Sequence, residues 1–536
     1  MTSANANTDA NRQIARAAGT VMFALLFGQL ASLARSILVA STFGASPELD
    51  AFTAANRVSE TLFLLVAGGA LGSAFIPVFT GLLTRNEKDP AWRLASALAN
   101  AVTLTLSLLA LLLAIFAPQV VRYTLAPGFV EKPELFALAV ALTRIQLISA
   151  VLFGLGGLIG GILNAHQVFF IPALTPAMYQ LGIIFGAVVL SPSMGIYGLA
   201  WGVVLGALAY VLVQIPTLIK QRGTYSLTFG LENPDVRKVI LLMGPRLLGV
   251  AVVQLNFWVN IRLASHMEEG SVASLQFAFS LMIMAQAAIA QSVAIAAMPT
   301  FSAQHALGKQ DEMRSSLAAS LRGILLMALP ASVGLMMLRE PLIAFLYQRG
   351  KFDAEDTQLA AWALLWYAAG LVGHSVMEIL TRAFYAQHDT KTPVLIGTVA
   401  MTLNVIFSFT FAALFRQIGW MPHGGLALAN SLATALEASA LFIFMRRRLN
   451  GIEGTYIARG FAACAVASLG MGIGLWFWLQ AAGSLSRWII TLGGVVVGGV
   501  LYGVGVLLLR VPEVQMLTGA IARRLLRRAG PPRNDS

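Results

Sequence analysis

The sequence predicts an all-α polytopic membrane protein of about fourteen transmembrane helices, built as two six-helix lobes in parallel pseudo-repeat with an extra C-terminal helix pair. Three observations predict it. Of 536 residues, 57% are hydrophobic and only 11% charged, whereas water-soluble domains carry about 25% charged residues. The apolar residues fall in runs near the length of about 20 that one helical crossing of a bilayer core requires. Four segments recur at a nearly constant spacing, the mark of an internal duplication.

Bounded by charges, Pro and Gly, the runs lie near 18–43, 51–84, 92–117, 134–164, 168–190, 196–219, 236–265, 271–303, 315–338, 356–385, 392–415, 424–445, 456–480 and 487–509. The second and eighth exceed one crossing, so they are expected to tilt or to extend beyond the lipid. The opening "MTSANANTDANRQIARAAG" is polar and lacks a short apolar segment with a small-residue cleavage site, so no removable signal peptide is expected. Cys464 is the single cysteine and lies in an apolar run; it reads as a small buried hydrophobe, with no disulfide or thiolate metal site.

The duplication organises the chain. "FIPVF" with Pro77 is echoed by "AMPTF" with Pro299, and "PGFVEKPELFALAVAL" with Gly128 by "RGKFDAEDTQLAAWAL" with Gly350. "NAHQVFFIPAL" with Pro172 is echoed by "YAQHDTKTPVL" with Pro393, and "YGLAWG" with Gly198 by "GGLALA" with Gly425. The expected organisation is a cytoplasmic segment 1–17, a first lobe 18–225, a second lobe 236–450, a helix pair 455–510 and a basic tail 511–536. An even number of spans per lobe makes the repeat parallel, an arrangement that places a transported substrate between the lobes.

Orientation follows from the cations. With the amino terminus in the cytoplasm, the cytoplasmic segments hold about 24 of the 36 Lys and Arg and the opposite loops about seven, so both termini are expected in the cytoplasm. The net charge of +12 is then a topology signal carried by short loops, and nucleic acid is not expected as a partner. The tail "MLTGAIARRLLRRAG" fits either a short basic helix lying on anionic lipid or a solvated end.

The cations singled out inside the runs are Arg35, Arg57, Arg144, Arg246 and Arg262. Each would cost about 2.5–3.5 kcal/mol at the centre of a lipid-facing helix, so most must face water, protein or ligand. Arg262 lies near a helix end and can snorkel, whereas Arg144 and Arg246 lie about 15 Å from their helix starts. Glu60 follows Arg57 by three residues, on the same helical face, and is placed to neutralise it. His374 and Glu378, one turn apart, read as a proton relay or as a satisfied buried pair. Asp50 opens the second helix as an N-cap first and a gating contact second. Arg still outnumbers carboxylate in the spans, which points to an anionic substrate. The guanidinium fork suits phosphate oxygens and stays charged when desolvated. The sequence has no Walker motif, nucleotide loop, zinc triad or nucleophile elbow. The expectation is a transporter, not an enzyme, with no cofactor or metal, driven by an ion gradient or the membrane potential.

These residues also carry a family resemblance. The run "LVASTFGASPELDAFTAANRV…GGALGSAFIPVF", then "LAPGF", "GILNAHQVFFIPALTP", "LMGPRLLGVAVVQLNFWVNIRLAS", "GSVASLQFAFSLM" and "RAFYAQHDTKTPV", resembles the MurJ/MviN lipid II flippase family of the multidrug/oligosaccharidyl-lipid/polysaccharide exporter superfamily over nearly the whole chain. The resemblance implies a cationic cavity between two lobes and a groove on the last two helices for a polyprenyl tail. It also implies movement of the lipid-linked peptidoglycan precursor from inner to outer leaflet of the bacterial cytoplasmic membrane, with membrane lipids and cell-wall synthesis proteins as partners.

Residue by residue, Arg35 matches a family arginine of the first helix and Asp50 the acidic residue of a "DAF" element. The other cavity arginine of the first helix falls at Gln29. The arginine pair of the second helix falls at Phe63 and Leu64, its acidic neighbour at Gly68, and an arginine of the eighth helix at Ser280. Arg57 stands where the family commonly has Lys or Arg; Arg246 and Arg262 stand where small or apolar residues are usual. The expected substrate-binding set is therefore Arg35, Arg57, Arg246 and Arg262, with Asp50, Glu60, Gln29 and Ser280 as gating or supporting residues. Three other readings remain in view. One is export of another polyprenyl-linked glycan, and one a multidrug exporter, which the scarcity of buried carboxylates disfavours. The last is a non-transporting membrane scaffold that recruits partners through its tail.

Overall fold

In hydrocarbon every backbone N–H and C=O must find a partner within its own segment or within a closed barrel, and runs of Leu, Ala and Val with a 3.6-residue pattern find it as helix. The computed structural model describes residues 23–24, 26–66, 72–230, 232–483 and 485–511; the side chains of 66, 72, 73, 244–246, 248 and 249 lie outside that description. Among the described residues all regular elements are helical. In chain order they are α1 Leu26–Phe43, α2 Pro47–Val66, α3 Gly72–Thr84, α4 Lys88–Ile115, α5 Pro133–Ala165, α6 Phe170–Met194 and α7 Ile196–Lys220. Then come α8 Pro234–Ala264, α9 Ser271–Ala306, α10 Gln310–Met337, α11 Arg339–Tyr347, α12 Ala354–Ala386, α13 Lys391–Gln417, α14 His423–Arg448, α15 Gly454–Ala481 and α16 Arg487–Leu508. The segment 1–17 and the basic tail beyond 511 lie outside the described residues.

Twelve of these helices are long and apolar enough to cross a membrane, beside two shorter apolar stretches, Ala74–Thr84 and Val250–Ala264. Of the expected fourteen runs, twelve appear as such helices among the described residues, and the second and the seventh, which adjoin residues outside that description, appear there as the shorter stretches. Helix α2 holds Glu48, Asp50, Arg57 and Glu60 within 20 residues, and α8 holds Asp235, Arg237, Lys238, Arg246 and Arg262.

The chain folds as two compact units, one of residues up to 276 together with 347–356, the other of 277–346 and from 357 onward. In the first unit α2 packs along α5 and α8, and the Ser59 and Ser149 hydroxyls meet at 2.7 Å. Helices α6 and α7 approach through glycines: a Cβ on Gly182 would lie 2.1 Å from the Gly206 Cα, the small-residue contact that lets membrane helices pack backbone to backbone. The core of the second unit gathers Phe301, Leu317, Leu321, Ile379, Phe384 and Leu441. There α15 packs on both α10 and α16.

The sequence echoes recur as local structure. Pro77 and Pro299 each lie inside a helix, and Pro172 and Pro393 each lie in the first turn of one. A Cβ on Gly198 would meet the Ser191 backbone at 2.5 Å, and one on Gly425 the Phe411 backbone at 2.7 Å. Residues with positive φ also come in pairs at the duplication's spacing: Gly44 and Gly270, Asn86 and Gly308, Gln167 and His388, Gly195 and Gly419, Arg222 and Asn450. Left-handed backbone disfavours most L-residues, so these positions mark sharp turns between helices.

Candidate functional site

The site is built from two helical faces in the first unit. Arg57, Glu60 and Thr61 stand at i, i+3 and i+4 on α2, so they share one face. Gln254, Phe257 and Trp258 repeat that spacing on α8. The Arg57 guanidinium, 13% exposed, pairs with Glu60 at 3.0 Å and donates to Gln276 Oε1 at 3.3 Å. Its Cζ lies 4.5 Å from the Phe257 ring centroid. Asn56 donates to the other Glu60 oxygen at 2.8 Å. The Thr61 hydroxyl donates to the Arg57 carbonyl at 2.7 Å and accepts from the Trp258 indole at 2.9 Å. Gln254 and Asn256 are buried on the same stretch of α8, and Asn260 donates to Asn256 at 3.1 Å. A charged pair surrounded by amides and an indole is a polar cluster set among apolar helices.

Arg35 faces the same neighbourhood. Tyr179 lies within electrostatic reach of Glu60, Arg35 and Arg57, so one phenol senses both cations. Arg35 is half-buried and reaches the Ser36 hydroxyl at 3.5 Å; among the described residues no carboxylate lies within ion-pair distance of it. The structure therefore brings Arg35, Arg57 and Glu60 into one region, with Arg57 matched by carboxylate and Arg35 not.

The other expected residues separate from that region. Arg262 is exposed at the end of α8 and donates to the Tyr123 carbonyl, as its place near a helix end allows. The side chain of Arg246 lies outside the described residues. Gln29 is exposed on α1 and Ser280 is half-buried on α9 in the second unit. Phe63 packs on Phe153 with ring centroids 5.0 Å apart, so the position where the resemblance expects arginine is part of the packing between α2 and α5. Gly68 lies outside the described residues. Arg144 is exposed and donates to the Ala114 carbonyl at the end of α4 at 3.0 Å. His374 and Glu378 do not form a relay with each other: His374 bonds Asn430 at 3.0 Å, and Glu378 pairs with Arg382 at 2.9 Å.

Asp50 is not the N-cap of its own helix. Ser46 fills that role, its hydroxyl accepting from the Leu49 N–H at 3.3 Å. Asp50 lies one turn further in, and its two oxygens accept from the N–H groups of Gly270 and Ala273 at 2.8 and 2.7 Å. It caps the start of α9, where unpaired amides and the helix dipole favour an anion. The duplicated loops interlock beside it. A Cβ on Gly128 would fall 2.0 Å from the Ser265 carbonyl oxygen, one on Gly270 2.1 Å from that of Ala45, and one on Gly350 2.1 Å from that of Ser41. Asp356 accepts from the Ala45 N–H at 3.0 Å. These backbone-to-backbone contacts close this end of the unit.

Sequence reasoning missed Asn56, Gln254, Trp258 and Gln276. For Gln254 and Trp258 the signal was present as amides and an indole at helical spacing in "VVQLNFWVN". It also left Arg322 and Arg382 out of the cations within spans. Arg322 is 5% exposed and belongs to the second unit, where its Cζ lies 3.8 Å from the Tyr456 ring centroid and its Nη1 donates to the Tyr456 carbonyl at 3.3 Å. No group of three or more His, Cys, Asp or Glu poised to hold a metal occurs among the described residues.

A multi-pass helical protein whose charged residues gather in its least apolar helices has the make-up of a membrane transporter. The comparisons narrow the class. The family model described as "Lipid II flippase MurJ" matches residues 39–490, and the chain belongs to that family, whose members are flippases and not enzymes. It is similar to the "Lipid II flippase MurJ" of Burkholderia cenocepacia, 32% identical over 439 residues that cover 81% of this chain and 84% of the relative. It is also similar to the "Probable lipid II flippase MurJ" of Vibrio cholerae, 29% identical over 78% of this chain and 80% of the relative. Among solved structures, "Lipid II flippase MurJ, inward closed conformation" superposes with a TM-score of 0.78 at 25% identity, over 93% of this chain and 99% of that one. A multidrug resistance MATE family transporter of the MOP superfamily in an inward-facing conformation gives 0.66 at 18% identity, over 80% and 96%, a likeness of fold alone.

Proposed function

We propose that this protein moves lipid II, the polyprenyl-pyrophosphate-linked peptidoglycan precursor, from the inner to the outer leaflet of the bacterial cytoplasmic membrane. Both termini then face the cytoplasm. The observation that carries the reading is the Arg35–Arg57–Glu60 region inside an apolar unit of a chain that belongs to this family. Arg35, with no carboxylate partner among the described residues, meets the pyrophosphate first; Arg57 exchanges part of its Glu60 contact for phosphate oxygens. Guanidinium groups hold such oxygens through paired, charge-assisted hydrogen bonds. Transport proceeds by alternating access, with Asp50 releasing and recapturing the amides of α9 as the interlocked loops part and close. The polyprenyl tail stays in lipid along α15 and α16, whose outer faces expose Val466, Leu469, Ile473, Val496 and Val500. The driving force is the membrane potential or an ion gradient acting on the charged complex.

The experiment is complementation of a strain depleted of its own flippase, read together with the outer-leaflet accessibility of labelled lipid II. The wild-type gene should restore growth and accessibility, and Arg35→Ala should lose both while remaining in the membrane. Full rescue by the Arg35→Ala, Arg57→Ala double variant would overturn the mechanism. A second reading is favoured by Gln29, Phe63 and Ser280 standing where the family resemblance expects arginines: the cargo is a different polyprenyl-linked glycan. Wild-type protein that reaches the membrane without restoring cell-wall synthesis would select that reading.

A further inference from the structure

The second unit contains a cavity of about 1040 Å³ between α10, α12, α14 and α15, to which α16 contributes no residue. Its volume is at the top of the range of about 300–1,000 Å³ typical of small-molecule sites. Along α14 the lining follows one stripe, Ala435, Ala438, Ser439, Phe442, Ile443 and Arg446, and α12 supplies Ala369, Val372, Gly373 and Val376. One end is pinched shut: a Cβ on Gly370 would meet the Ser431 Oγ at 2.4 Å, and one on Gly373 the Ala435 Cα at 3.1 Å. From there the lining runs to Arg446. The stripe from Ala435 to Arg446 spans about 16 Å at 1.5 Å per residue, about half the roughly 30 Å hydrocarbon core. The groove is one leaflet deep.

Its polar groups lie at the open end. Arg446 is exposed, and among the described residues no carboxylate lies within ion-pair distance of it; its neighbour Arg448 is engaged with Asp389. Thr455 and Gly454 line the same mouth, and there the 28-residue α15 begins without a side-chain cap on its N–H groups. An unpaired guanidinium, a hydroxyl and an uncapped helix start around one opening are complementary to a phosphate.

We propose that this groove holds one anionic glycerophospholipid of the cytoplasmic leaflet, its phosphate on Arg446 and the start of α15 and its acyl chains along the α12–α14 stripe. The assignment to that leaflet rests on the orientation given under Proposed function. Depth selects the occupant. A groove shut at one end and one leaflet deep suits acyl chains, whereas a polyprenyl tail needs a surface that continues across the bilayer.

Native mass spectrometry of the full-length protein, delipidated in mild detergent and titrated with phosphatidylglycerol, tests the site. Wild type should bind one molecule in a saturable step. Arg446→Ala should weaken that step about tenfold, the effect of losing one charge-assisted contact, and Arg446→Lys should recover part of it. Ser439→Trp, a substitution at an exposed position that fills the groove, should abolish the step without lowering the melting temperature of the delipidated protein. Unchanged binding in Ser439→Trp, or undecaprenyl phosphate displacing phosphatidylglycerol from wild type, would overturn the proposal. Complementation separates this from the flippase reading: an Arg446→Ala protein that loses the lipid yet supports growth leaves that function intact. A wild-type protein that binds the lipid but does not complement counts against the function alone.

Discussion

Two arginines inside apolar helices, Arg57 on α2 and Arg322 on α10, each lie over an aromatic ring but differ in their other partners. Arg57 has a carboxylate at 3.0 Å and an amide at 3.3 Å, and Glu60 retains 36% side-chain exposure, so its partners are exchangeable. Arg322 is sealed at 5% exposure against the ring and carbonyl of Tyr456. Its room is made by Gly460, where a Cβ would fall 2.6 Å from the Arg322 Nε. A cation meant to meet a ligand keeps mobile, charged neighbours. One meant to hold two helices together is clamped by an aromatic face and backbone, whose interactions a passing anion does not replace.

The largest expected effect breaks the comparison at its functional side. Arg57→Ala should lower lipid II translocation about 10²-fold, because truncating one member of a hydrogen-bonded charge pair in a low-dielectric site costs about 2–5 kcal/mol. Abundance in the membrane should stay near wild type. Translocation is measured as labelled lipid II reaching the outer face of vesicles. An Arg57 variant that lost melting temperature but kept translocation would place it with Arg322 instead.

Gly460→Ala tests the structural side, with an expected loss of about 2 kcal/mol from overpacking against the guanidinium. It should appear as a lowered melting temperature in detergent, with translocation per folded molecule unchanged. Arg322→Lys is expected to cost less, about 1 kcal/mol. It keeps the charge but loses the planar stack on Tyr456, and the same melting experiment ranks the two. Were Arg322→Lys to abolish translocation at unchanged stability, the division between the two arginines would fall.

The sequence made one side of this contrast legible and not the other. Arg57 and Glu60 are three residues apart, and that spacing alone puts them on one face. Twelve of the expected spans were readable from hydropathy and stand as long apolar helices among the described residues. Several glycines and prolines of the repeated segments lie at turns and close helix contacts. What was not legible depends on which helices meet. Gln254 and Trp258 become site residues only because α8 packs on α2, and Asp50 caps α9 only because a fold brings the residues from 270 to 273 beside it. Arg322 reads as another residue near a charged loop until α15 is laid over it.

The smallest expected effect concerns a third arginine, Arg448, which sharpens the contrast by pairing at the edge of the protein. Its partner Asp389 lies in the turn between α12 and α13. Partial burial pulls the Asp389 carboxyl upward, but the Thr392 N–H and hydroxyl and the Arg448 guanidinium outweigh it and hold the pKa down at about 2. A carboxylate with a depressed folded-state pKa stabilises the fold above its ordinary value of about 3.9. That contribution is fully present at neutral pH and is lost as pH falls from about 4 through about 2. Wild-type melting temperature should therefore drop across this window more than that of Asp389→Asn, which keeps acceptor capacity toward Thr392 but has no charge to lose. Because Arg448 is 41% exposed, salt should shrink the wild-type difference. An Asp389→Asn protein with the same acid profile as wild type would assign the acid sensitivity to other carboxylates.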